Sequence, residues 1–125
     1  MSKKILIIDD EADFVDTLSF SLESNGFEVI SAPNGPSGIE KLKNENPDLI
    51  ILDLMMPGMD GYEVVKRLKA DSVSSNIPII VLTAAVTPDL KQKVCSIQAI
   101  DCVTKPCDLE ELVDKIKKAL EARYG

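Results

Sequence analysis

Ile5-Leu6-Ile7-Ile8-Asp9-Asp10-Glu11 sets four apolar residues in an unbroken run and follows them with three acids. A half-buried strand alternates polar with apolar residues, whereas a continuous apolar block suits a strand covered on both faces. Two more blocks have this form, Leu49-Ile50-Ile51-Leu52 before Asp53 and Ile79-Ile80-Val81-Leu82 before Thr83. Two further strand segments are mixed: Phe27 to Ser31, and Ile100 to Thr104, where Asp101 and Thr104 interrupt the apolar residues. Helical periodicity fills the gaps. Phe14, Leu18 and Leu22 mark the first helix, and Ile39 and Leu42 mark the second, after the Asn34-Gly35-Pro36 start signal. Val64, Val65 and Leu68 mark the third, Leu90, Val94 and Ile97 the fourth, and Leu109, Leu112, Val113, Ile116 and Leu120 the fifth.

Five strand-helix units in succession predict an α/β fold, a parallel sheet with helices on both faces and right-handed crossovers. The strand order 2-1-3-4-5 places both mixed strands at sheet edges, which is the flavodoxin-like doubly wound arrangement. No repeat beyond this unit, low-complexity tract or linker divides the sequence, so residues 1–125 are expected to form a single domain. At this length a core can form without disulfide or metal staples. Apolar runs of four or five residues fall far short of a membrane span, and no signal-peptide pattern opens the chain; the expected location is cytoplasmic.

With 14 Lys plus Arg against 21 Asp plus Glu, the net charge is −7. That balance argues against direct nucleic-acid binding, which needs a cationic footprint on phosphates. The chain contains no histidine, which removes Ser-His-Asp and Cys-His pairs, imidazole bases and His-containing zinc sites. The three cysteines, Cys95, Cys102 and Cys107, match neither a C-x-x-C pair nor a zinc knuckle and read as reduced thiols.

In a doubly wound sheet the crevice opens at the carboxyl ends of the strands, where the first and third diverge. Asp9 and Asp10 end the first strand there, Asp53 the third and Thr83 the fourth, and Thr104-Lys105-Pro106 follows the fifth. Strands lie about 4.8 Å apart, so Asp9, Asp10 and Asp53 converge, and the four-carbon stem of Lys105 can span two strands to reach them. A lone aspartate in such a place is often a helix cap, and that is the rival reading for Asp10. Three crowded carboxylates repel one another unless protonated or bridged by a cation. A hard divalent ion, Mg²⁺ with Mn²⁺ able to substitute, answers that requirement.

These residues stand in four motifs: Ile5-Leu6-Ile7-Ile8-Asp9-Asp10-Glu11, Leu52-Asp53-Leu54-Met55-Met56-Pro57-Gly58-Met59-Asp60-Gly61, Leu82-Thr83-Ala84 and Lys105-Pro106. In this order and spacing the chain resembles, over essentially its whole length, the receiver domain of two-component response regulators, including single-domain regulators of chemotaxis and sporulation. The resemblance implies that Asp53 accepts a phosphoryl group from a phosphohistidine on a sensor histidine kinase or a histidine phosphotransfer protein. It implies that Asp10, Asp53 and the backbone carbonyl of Met55 hold Mg²⁺, with Asp9 assisting partly through water. Thr83 and Lys105 would contact the phosphoryl oxygens, and the Lys105-Pro106 bond would be cis. Enzymatic activity would be confined to Mg²⁺-dependent self-phosphorylation and self-dephosphorylation, and the expected state is a monomer or weak dimer.

The sequence departs from the family at three places. Cys102 stands where an aromatic switch residue is usual, Cys107 replaces the aromatic after Lys-Pro, and Gln98 replaces a small residue ahead of the fifth strand. All three fall on the face of the fourth helix, fifth strand and fifth helix, which is expected to meet the output partner. Met55 and Ala85 occupy positions whose polar side chains could orient a hydrolytic water, so a long-lived phosphoryl group is expected.

Other classes compete with this reading. A phosphorylation-independent pseudo-receiver would normally lack a carboxylate or the lysine, and all are present. A hydrolase would want an aspartate where Met55 stands. A thiol-based sensor would use Cys102 and Cys107, with Lys105 lowering a thiol pKa.

Overall fold

The computed structural model describes residues 2–54, 56, 61–71, 75–84, 88–89, 92 and 100–125, with the side chains of residues 61, 62, 83 and 100 excepted. Five strands, β1 (Lys4–Ile8), β2 (Glu28–Ala32), β3 (Leu49–Asp53), β4 (Ile79–Thr83) and β5 (Ile100–Thr104), form one sheet. Its order is β2-β1-β3-β4-β5, and every neighbouring pair is parallel. Among the described residues the helices are α1 (Ala12–Ser24), α2 (Gly35–Glu45), α3 (Gly61–Ala70) and α4 (Leu109–Tyr124). The segment expected to form a helix around Leu90, Val94 and Ile97 lies largely outside the described residues. None of the described helices is long and apolar enough to cross a membrane.

The continuous apolar blocks are explained by two cores, one on each face of the sheet. Leu6, Ile8, Ile50, Leu52, Ile79 and Val81 face Leu42 of α2 and Val64, Val65 and Leu68 of α3. The alternate residues Ile5, Ile7, Leu49, Ile51, Ile80 and Leu82 face Val15, Leu18 and Leu22 of α1 and Leu112, Val113, Ile116 and Leu120 of α4. Successive strand side chains point to opposite faces, so a central strand between two helical layers must be apolar at every position. The mixed strands β2 and β5 hold the edges, as their composition predicts.

Strand β2 begins one residue later than the sequence suggests. The Phe27 N–H donates to the Leu22 carbonyl at 3.1 Å, closing the end of α1 around Gly26 in the left-handed region (φ +86°). Phe27 is thereby spent on the helix stop and packs on the α1/α4 core.

Helix α2 starts as the Asn34-Gly35-Pro36 signal predicts, with Asn34 Oδ1 accepting from the Ser37 N–H at 2.9 Å. It then lies so close to β1 that a Cβ on Gly38 would sit 2.5 Å from Ile8 Cδ1 and 2.7 Å from Ile8 Cγ1. Ile8 is fully buried and has nowhere to retreat. Gly38→Ala is expected to lower stability by about 1–2 kcal/mol in urea unfolding, because overpacking outweighs the gain in helix propensity. An unchanged or stabilised variant would show that α2 can move off β1 freely.

Candidate functional site

Asp9 follows β1 directly, its N–H donating to the Ala32 carbonyl at the end of β2 at 3.0 Å. That bond continues the sheet and keeps the carboxyl inside, with Asp9 only 3% exposed. Its Oδ1 accepts from the Glu11 N–H at 2.9 Å, which turns the chain into α1. Glu11 is the N-cap residue of α1 and makes no side-chain capping bond. Asp10 is therefore not the cap; its side chain stands exposed at the crevice.

Asp53, the last residue of β3, is buried beside Leu82 of β4, and the next N–H, of Leu54, donates to the Leu82 carbonyl at 3.2 Å. Asp9, Asp10 and Asp53 each offer one carboxylate oxygen, and these oxygens lie within 4.8 Å of one another. Thr83 ends β4 one register step beyond Leu82, opposite Thr104 of β5. Its side chain and all of Met55 lie outside the described residues.

Lys105 reaches this cluster from the far side of β4. It follows β5 directly and precedes a cis Lys105–Pro106 bond, and Asp108 then starts α4 by accepting from the Glu110 N–H at 2.8 Å. Lys105 Nζ lies 2.7 Å from Asp9 Oδ2, 2.6 Å from Glu11 Oε1 and 3.2 Å from Asp53 Oδ2. It also lies 4.4 Å from the centre of the Phe14 ring. Glu11 and Phe14 have no site role in the sequence reading above. The one signal for Glu11 is its place directly after the two aspartates; Phe14 reads there only as core.

Three carboxylates thus share one ammonium, with Asp10 beside two of them. Burial opposes the charge on Lys105, but its bonds to Asp9, Glu11 and Asp53 outweigh it, so the ammonium titrates above the ordinary lysine range. Asp9 is shifted upward as well, because burial of its carboxyl outweighs the help from Lys105 and from the Glu11 N–H. The two shifts are compatible, since Lys105 feels several carboxylates while Asp9 has only a share of one ammonium. Among the described residues the site carries more carboxylates than cations.

That shortage is what a cation would relieve. Octahedral Mg²⁺ at about 2.1 Å from each ligand sets opposite oxygens roughly 4.2 Å apart. Carboxylate oxygens spread over 4.8 Å fit such an ion with a small inward movement or with one contact through water.

The two thiols lie on opposite sides of the sheet: Cys102 packs against the α2/α3 core and Cys107 against the α1/α4 core. Burial raises the Cys107 pKa despite the nearby Lys105 charge, which is the wrong direction for a reactive thiolate. Cys95, Gln98 and Ala85 lie outside the described residues.

Comparison with known proteins finds relatives in sequence and in fold. The family described as the response regulator receiver domain matches residues 5–117. The phosphate regulon transcriptional regulatory protein PhoB of Escherichia coli is 37% identical over 120 residues, a match covering 96% of this chain and 52% of that protein. The alkaline phosphatase synthesis transcriptional regulatory protein PhoP of Bacillus subtilis is 39% identical, with 96% of this chain and 49% of the relative covered. The chain therefore spans about half the length of the curated relatives it matches. Among solved structures, the chemotaxis response regulator CheY4 of Vibrio cholerae superposes with a TM-score of 0.88 at 30% identity, covering 95% of this chain and 99% of that one. A CheY-like receiver domain protein from Methanospirillum hungatei gives a TM-score of 0.92 at 27% identity, covering 98% of this chain and 97% of that one.

Proposed function

Since the chain belongs to the response regulator receiver domain family, we propose that it is a phosphoacceptor switch of a two-component system and that Asp53 is the residue modified. The observation that carries this reading is a buried Asp53 carboxylate with an ammonium 3.2 Å away and two further acids beside it. A carboxylate oxygen of Asp53 attacks phosphorus in line while the phosphorus–nitrogen bond of a phosphohistidine breaks and the imidazole keeps the electron pair. The chain has no histidine of its own, so the donor is another protein, a sensor histidine kinase or a histidine phosphotransfer protein.

Asp10, Asp53 and the Met55 carbonyl would hold Mg²⁺, with Asp9 assisting partly through water. The ion supplies positive charge against the phosphoryl oxygens when bound. Lys105 supplies a second positive charge, and the Thr83 hydroxyl supplies a neutral hydrogen bond. Phosphorylation then redraws the contacts of Thr83 and Lys105, and the change passes to a protein partner through the face that includes β5 and α4. Cys102, in β5 opposite Val81, occupies the position where an aromatic would otherwise report that change. The protein works in the cytoplasm as a monomer or weak dimer, with no direct contact to nucleic acid or membrane, and turns over no substrate beyond its own phosphoryl group.

The reading is tested by incubation with a phosphorylated kinase or acetyl phosphate, with and without chelator. One phosphoryl group per chain, gained only with Mg²⁺, is the expected result; none under any condition would leave an interaction module.

The lifetime of the phosphoryl group is a further test. Met55 and Ala85 give the attacking water no strong hydrogen-bond partner. If one such bond is worth about 1 to 2 kcal/mol in the transition state, its absence slows hydrolysis roughly 5- to 30-fold. Met55→Asn and Ala85→Glu are expected to speed the decay of phospho-Asp53 by factors in that range. Should both leave the decay unchanged or slower, water positioning at these residues does not set the lifetime.

A further inference from the structure

Each oxygen that holds Lys105 can be claimed by another partner. Asp9 Oδ2, Glu11 Oε1 and Asp53 Oδ2 accept from Nζ at 2.7, 2.6 and 3.2 Å. Asp9 and Asp53 belong to the carboxylate group that a cation would bridge, and Asp53 is also the group that a phosphoryl would join. The Glu11 side chain is 60% exposed, so water competes for it. The oxygens facing the ammonium therefore change with the state of the site.

Phe14 makes a contact of another kind. Nζ lies over its ring, 4.4 Å from the centre, close enough for the negative face to attract the ammonium without accepting any of its three protons. A phenyl ring neither titrates nor ligates a metal ion, so nothing at the site competes for it. The ring is also held in place. Phe14 lies in α1 three residues after Glu11 and packs against the core that holds Val15, Leu18 and Leu22 of the same helix. An open hollow lined by Phe14, Pro106, Cys107 and Leu109 borders Lys105, yet the lysine side chain is only 10% exposed.

We infer that Phe14 is a positioning residue whose ring face keeps the Lys105 ammonium at the Asp9 and Asp53 carboxylates and out of the hollow, whichever oxygens the ammonium meets. The inference rests on the phosphoacceptor reading of Asp53 and adds to it a fixed apolar support for the cation that faces the incoming phosphoryl group.

Two measurements on the full chain test it. Phe14→Leu keeps an apolar side chain and removes the ring face, whereas Phe14→Tyr keeps the face. The first measurement is the proton shift of the Lys105 methylene beside Nζ, assigned by its loss in Lys105→Met. A ring face moves that signal upfield, so the upfield shift is expected in the unmodified protein and in Phe14→Tyr and should be lost in Phe14→Leu. A shift that Phe14→Leu leaves unmoved overturns the inference.

The second measurement is the rate of labelling by acetyl phosphate with Mg²⁺. Phe14→Leu is expected to be about two- to fivefold slower, the range that one cation–π contact allows, and Phe14→Tyr to label at nearly the unmodified rate. On a Lys105→Met background Phe14→Leu should cause no further slowing, because no ammonium remains to be held. Equal slowing in both backgrounds would make Phe14 a packing residue only and would overturn the inference. So would an unchanged rate in Phe14→Leu, or a loss that Phe14→Tyr shares. Should Lys105→Met label too slowly to measure, the methylene shift decides. No labelling of the unmodified protein would overturn the phosphoacceptor reading and the positioning role built on it; normal labelling with an unmoved shift overturns the positioning role alone.

Discussion

Acetyl phosphate with Mg²⁺ is expected to add one phosphoryl group to the chain and none to Asp53→Asn. The substitution exchanges a carboxylate oxygen for an amide, nearly the same in shape but without the anionic nucleophile that attacks phosphorus. Folding should survive, because Asp53→Asn removes a negative charge from a site where three carboxylates share one ammonium and a fourth, Asp10, stands beside them. Loss of labelling in a variant that melts at or above the temperature of the unmodified protein thus reports chemistry, not unfolding. Intact-mass spectrometry reads the result directly, and chelation should abolish labelling of the unmodified protein in the same assay. Full labelling of Asp53→Asn would remove Asp53 from the mechanism.

The second large effect belongs to Lys105. Removing its charge leaves Asp9 and Asp53 buried beside each other without the Lys105 ammonium between them. Breaking a buried ion pair from one side costs about 3 to 5 kcal/mol. Lys105→Met in chelator is expected near the low end, about 3 kcal/mol less stable at neutral pH, because one of the three acceptors is the exposed Glu11.

Two conditions should return part of that loss. Mg²⁺ held by these carboxylates would restore positive charge there and, binding only the folded site, would raise stability. Lower pH acts through Asp9, whose carboxyl in the folded protein already titrates above its ordinary value of 3.8. A carboxyl raised by folding binds its proton more readily in the folded chain than in the unfolded one. Its cost is therefore present above the folded pKa and is relieved as pH falls through that value toward 3.8. Without Lys105 the main influence holding the Asp9 pKa down is gone, so the recovery should begin at a higher pH than in the unmodified protein. Urea unfolding of both proteins between neutral and mildly acidic pH, with chelator and with Mg²⁺, measures all of this. Equal stability at neutral pH in chelator would show that the carboxylates do not depend on Lys105.

The architecture was legible because its causes are local and periodic. A strand between two helical layers has no solvent face, so Ile5 to Ile8, Leu49 to Leu52 and Ile79 to Leu82 declare themselves central, and the mixed composition of β2 and β5 sends them to the edges. The start of α2 at Asn34 was equally local, since the cap is a bond between residues three apart. Strand order and parallel direction then bring the ends of β1 and β3 together. The meeting of Asp9, Asp10 and Asp53 could therefore be deduced from residues far apart in the chain.

What the sequence could not decide is how those side chains divide their partners. Asp9 and Asp10 are neighbours of one chemical type, yet one continues the sheet and is buried while the other stands exposed. That difference arises where the chain leaves β1, through the bond to Ala32 of β2 and the turn closed onto the Glu11 N–H. Gly38 shows its purpose only once α2 is laid on Ile8. The stem of Lys105 is long enough to reach several acceptors, and its choice of Glu11 together with Asp9 and Asp53 follows from the placement of α1 against the end of β5. Periodicity reports which face of an element is buried. The partner of a long charged side chain depends on distances between elements distant in sequence, and only the assembled fold sets those.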